Sequence, residues 1–151
     1  MSCEPDRGRR LETMLARAKR LRTVTPELLN EVIASACDRF RTHGHTTKAA
    51  FNQLVACGAW TDAVLQLLHL ELPQWKLRRI IYEDEEWHCF LSKQRQVPLG
   101  FDEDAEAAHE VLPLAILLAF IRARSAAATA ATSVPRVTPT PGCSVCCDNF
   151  N

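Results

Sequence analysis

Residues 75–92, WKLRRIIYEDEEWHCFLS, restrict the fold more than any other stretch. They alternate with a period of two in a chain whose other periodic segments repeat at helical spacing. Trp75, Leu77, Arg79 and Ile81 alternate with Lys76, Arg78, Ile80 and Tyr82, and Trp87, Cys89 and Leu91 alternate with His88, Phe90 and Ser92. Four acids, Glu83, Asp84, Glu85 and Glu86, separate the two runs, so a β-hairpin is predicted. With neither Gly nor Asn present for a tight primed turn, a loop of four or five residues is expected, with Ile81 facing Trp87. That register puts Trp75, Leu77, Ile81, Trp87, Cys89 and Leu91 on a core face. It puts Arg78, Ile80, Tyr82, His88 and Phe90 on an outer face.

The flanking sequence reads as helix. Thr25-Pro26-Glu27 combines an N-cap, a first-position proline and a first-turn acid. Leu28, Leu29, Val32, Ile33, Ala36, Cys37 and Phe40 continue as one stripe, ended by His43-Gly44-His45 with Gly44 as a left-handed cap. A second helix is expected from Thr46 or Thr47 to Gly58, carrying Phe51 and Leu54. A third is capped by Thr61 and stopped by Pro73, with Trp60 stapled on Leu65 and with Asp62, Gln66, His69 and Glu71 as its polar positions. Beyond the hairpin, Asp102 should cap a long helix with Glu103, Asp104 and Glu106 in its first turn. Its run 111–121 is apolar all round, as in a central core helix, and Pro113 should kink or joint it.

These elements predict an α+β fold, mostly α: three N-terminal helices, one β-hairpin and one long core helix, in a winged-helix-like order. Residues 24–125 form the expected single globular domain. Residues 1–23 read as a basic amphipathic N-terminal arm, with Leu11, Met14, Leu15, Ala18 and Leu21 on one side and Arg10, Arg17 and Arg20 on another. Residues 126–151 read as an Ala/Thr/Pro-rich linker and a Cys-containing tail.

Composition narrows the function classes. The formal net charge is zero, so the chain as a whole has no bias toward nucleic acid or anionic membrane. The charge is uneven, however: residues 1–25 carry +4 and the remainder −4. The longest apolar run falls well short of the ~20 residues that span a bilayer. Seven cysteines without an apolar leader are read as reduced thiols of a cytoplasm.

No catalytic motif argues for an enzyme, and no cofactor is expected. His88 and Cys89 are strand neighbours that point to opposite faces, so one cannot activate the other. The acidic hairpin tip lacks the alternating ligands and glycine of a calcium loop. Cys143, Cys146 and Cys147 form a C-x-x-C-C cluster, yet no second ligand pair accompanies it, so zinc or thiol chemistry is the weakest alternative.

The order of elements raises DNA binding. But the third helix offers only Asp62, Gln66, His69 and Glu71, and an acidic wing tip would repel phosphate. Nucleic-acid binding therefore rests on Arg9, Arg10, Arg17 and Arg20 of the arm, and is disfavoured. The leading expectation is a protein-binding or adaptor domain using Arg78, Ile80, Tyr82, His88 and Phe90 of the hairpin's outer face, where Tyr and Arg suit an interface.

The block GAWTDAVLQLLHLELPQWKLRRIIYEDEEWHCFLSKQRQVP, with the later HEVLPLAILLAFIRA, resembles small uncharacterised proteins of rhizobial bacteria. The resemblance covers about residues 25–124 and implies no activity.

Overall fold

The computed structural model describes residues 4–93 and 104–132. The elements run α1 (Glu4–Arg20), α2 (Pro26–Ala36), α3 (Asp38–Thr42), α4 (His45–Ala56), α5 (Trp60–Glu71), β1 (Trp75–Glu83), β2 (Glu86–Lys93), β3 (Asp104–His109) and α6 (Leu112–Thr132). The three strands form one antiparallel sheet in the order β1-β2-β3. The fold is α+β and mostly helical, as the sequence predicts.

Helix α6 is the centre of the core. Leu114, Ile116, Leu117, Leu118, Phe120 and Ile121 are fully buried, each worth about 1.5–3 kcal/mol before conformational entropy is counted. It packs on α1, on α5, and on β2 and β3. The strands meet it with Cys89, Leu91, Ala105 and Ala107, all buried on one sheet face. The two alanines of β3 let the helix lie close to the sheet.

Two helix ends follow their sequence signals. Thr25 caps α2, its hydroxyl accepting the Leu28 N–H at 3.2 Å. After α4, Gly58 adopts φ +71°, and the amides of Gly58 and Ala59 bond back to the carbonyls of Val55 and Leu54. That is the paired closure a glycine-terminated helix uses.

Several expectations are corrected. Residues 104–109 form a strand, not the first turn of a helix; the proposed cap Asp102 and the first-turn Glu103 lie outside the described residues. Pro113 sits in the first turn of α6, where its missing N–H costs nothing, so it starts the helix rather than kinking it. Gly44, with φ −63° and ψ 164°, is the extended N-cap of α4 and not a left-handed terminator. The third helix begins at Trp60, so Trp60 lies inside α5 and Ala59 stands at its cap.

The N-terminal segment is no detached arm: Leu11, Met14 and Ala18 of α1 are buried in the same core cluster as α6. Helix α6 itself runs on to Thr132, through the first residues of the expected linker. No described helix is long and apolar enough to cross a membrane.

Candidate functional site

The hairpin closes in two residues. Glu83 pairs with Glu86, and Asp84 and Glu85 make the turn with φ of 52° and 66°. This is the primed geometry that matches strand twist, reached here without glycine. A register shift between Leu77 and Arg79 marks a β-bulge at Arg78, where one extra residue of β1 faces β2.

The short turn and the bulge together redistribute the predicted site. Directly opposed residues share a face, and the pairs are Tyr82 with Trp87, Ile80 with Cys89, Ile81 with His88, and Arg79 with Phe90. Ile80 and Tyr82 therefore stand on the face of Trp87 and Cys89, and Ile81 belongs to the other. Of the five residues expected together, Arg78, His88 and Phe90 share the outer face; Ile80 and Tyr82 do not.

The outer face is a strip of mixed charge and aromatic character. Arg78 donates from Nε to the Ser92 hydroxyl at 2.6 Å. The Arg79 guanidinium lies 6.0 Å from the centroid of the Phe90 ring, within reach of a cation–π contact. On β3, Glu106 approaches His88 Nδ1 at 3.9 Å, and its backbone carbonyl accepts from Arg122 of α6. Between these groups runs an open groove of about 440 Å³ lined by Arg78, Arg79, Phe90, Ser92, Asp104 and Glu106. Helix α6 covers the opposite face of β2 and β3, so this strip is on the side of the sheet away from the helical core.

A second cluster, which sequence reasoning missed, sits where α2 breaks into α3. Cys37 has φ −114° and ψ 67°, and the break leaves the Ala36 carbonyl and the Phe40 N–H without helical partners. Arg124 of α6 donates from Nε to the Ala36 carbonyl at 2.8 Å. The Glu71 carboxylate of α5, wholly buried, accepts the Phe40 N–H through Oε1. Its Oε2 has no hydrogen bond and lies 3.8 Å from Arg124. Outside this pair, Asp38 meets Arg7 of α1 at 2.8 Å, Arg41 at 3.1 Å and Arg124 at 3.5 Å. The hydrogen bond from Arg7 chiefly, with the surrounding guanidinium charges, holds the Asp38 carboxyl below its usual range.

The thiols nearby are poor nucleophiles. Burial first, and then the Glu71 charge, push Cys37 up to about 12; burial pushes Cys89 up to about 11. Cys57, the other described cysteine, is exposed and free. Among the described residues no group of His, Cys, Asp and Glu is gathered for a metal. Cys143, Cys146 and Cys147 lie outside them.

The basic residues of α1 are partly neutralised. Arg17 bonds Glu31 at 2.6 Å, and Arg10 pairs with Asp6 at 2.8 Å. Arg9 lines a shallow groove between α1 and α2 with Asp6 and Glu31. Arg20 shares a cleft of about 380 Å³ with Lys19 and Arg22, but also with Glu86 and Glu110. Compared with protein-family models, curated proteins and solved structures, the chain matches none.

Proposed function

We propose that this is a protein-binding module of the cytoplasm that engages its partner through the outer face of the sheet. The supporting observation is the groove between Arg78, Arg79 and Phe90 on one side and Asp104 and Glu106 on the other. It places two guanidiniums and a half-buried aromatic ring beside two carboxylates, on the sheet face away from the core. Arginine and aromatic side chains dominate the energy of protein interfaces, and opposed charges at their rim fix orientation. The unpaired thiols Cys37, Cys57 and Cys89 suit a reducing compartment.

The test is co-purification with the tagged full chain, quantified by mass spectrometry. Arg78→Glu combined with Phe90→Ala should deplete the specific partner about tenfold, the size expected for losing one or two anchors, without lowering the melting temperature. Tyr82→Ala, on the opposite face, should leave recovery unchanged. Equal recovery by the outer-face variant and the unaltered chain would overturn the proposal.

A further inference from the structure

Strand β1 lies at one edge of the sheet, and β2 is the element it packs on extensively; α6 reaches β2 and β3. On the face it shares with Trp87 and Cys89, Ile80 is 37% and Tyr82 58% exposed, and these are the large apolar side chains left exposed among the described residues. An open strand edge flanked by exposed apolar side chains is a template for another strand. We infer that β1 pairs antiparallel with β1 of a second copy of this chain, across a two-fold axis at Ile81.

The occupant follows from the charge pattern. Lys76, Arg78 and Arg79 occupy the first half of β1, and Glu83, Asp84, Glu85 and Glu86 its end and the turn. A parallel copy would set like charges side by side. An antiparallel copy sets each basic half against an acidic end, and a two-fold axis repeats that match twice.

The register follows from the backbone. In the two-residue hairpin, Glu83 and Glu86 form the hydrogen-bonded pair next to the turn, and bonded pairs recur at every second residue. Ile81 and Arg79 thus spend their backbone groups on β2, while Ile80 and Tyr82 direct theirs to the open edge. With the axis at Ile81, Ile80 of one copy is bonded opposite Tyr82 of the other. The two apolar side chains then cover each other on one face, and Arg79 of one copy meets Glu83 of the other on the opposite face. The bulge at Arg78 and the charge of Lys76 blunt the first half of the edge against longer pairing. The joined segment is therefore short, from Arg79 to Glu83, and the dimer is weak and concentration-dependent.

The experiment is sedimentation equilibrium of the full chain from micromolar to millimolar concentration. The average mass should climb from 16.9 kDa toward that of a dimer. Ile80→Pro removes an N–H that faces away from β2, so it should leave the hairpin folded by circular dichroism and weaken dimerisation about tenfold or more. Arg79→Glu should weaken it by setting one carboxylate against another, that of Glu83, and Arg79→Glu with Glu83→Arg should restore it. A chain that stays monomeric, a dimer that Ile80→Pro leaves intact, or a double charge swap that restores nothing would each overturn the inference. Arg79 also lines the partner groove, so the separating variants are Ile80→Pro, which alters the strand edge and leaves Arg78 and Phe90 in place, and Arg78→Glu with Phe90→Ala, which leaves the Ile80–Tyr82 pairing intact.

Discussion

Glu71 and Arg124 hold together a junction that backbone hydrogen bonding alone would leave open. The break at Cys37 strands a carbonyl and an amide inside the protein, and each finds its partner on a different helix: Arg124 of α6 and Glu71 of α5. Removing one member of such a set leaves buried polar groups unpaired, which costs more than the bond itself contributes. Glu71→Ala should therefore destabilise the protein by roughly 2–4 kcal/mol. Glu71→Gln, which keeps an acceptor for Phe40, should cost less; equilibrium denaturation in urea measures both. An equal loss for the two variants would place the energy in the charge, not in the capping of Phe40. The sequence carries no warning of the break, since SACDRF contains neither Gly nor Pro. The available signal is an acid at the end of an apolar helix and an arginine just past the most apolar run of another. Asp62 and His69, seven residues apart, hold the exposed side of α5, and Glu71, two residues past His69, falls on the buried side.

At the scale of elements, the hairpin itself is legible in the sequence and its register only half so. Period-two alternation identifies both strands and places Trp75, Leu77, Trp87, Cys89 and Leu91 on one face, as they stand. The turn is shorter than expected because Asp84 and Glu85 adopt positive φ without glycine, at a cost of about 1 kcal/mol or more each. The bulge at Arg78 then restores the expected face for the first half of β1, leaving Arg79, Ile80, Ile81 and Tyr82 reversed. Glu85→Gly creates the Asp-Gly pair that this turn favours, and should raise stability by about 1 kcal/mol, read as a higher melting temperature. A lower melting temperature would argue against a primed turn.

Strand β3 departs from expectation for a different reason. DAEAAH is poor in strand formers and rich in helix formers, yet pairing with β2 and cover by α6 outweigh local preference. Its alternation of Ala105, Ala107 and His109 is visible in the sequence, but small side chains make a faint pattern.

At the scale of the whole molecule, the described residues form a helical layer on one side of a three-stranded sheet and leave an exposed strip on the other. Helix α1 lays its apolar stripe into the common core, and several of its arginines answer carboxylates of the same chain. That pairing lowers the charge available to phosphate. Apolar periodicity makes the helical layer legible, because burial shapes sequence along a whole helix. The strip is less legible because it depends on a turn and a bulge of one residue each way. The most direct measurement replaces Phe90 by photo-reactive p-benzoylphenylalanine in the living cell, with the same replacement at Gln53 on α4 as control. A binding strip at the outer face predicts a discrete cross-linked adduct from position 90 that disappears with Arg78→Glu and is absent from position 53. No adduct at position 90, or the same adducts from both positions, would contradict it.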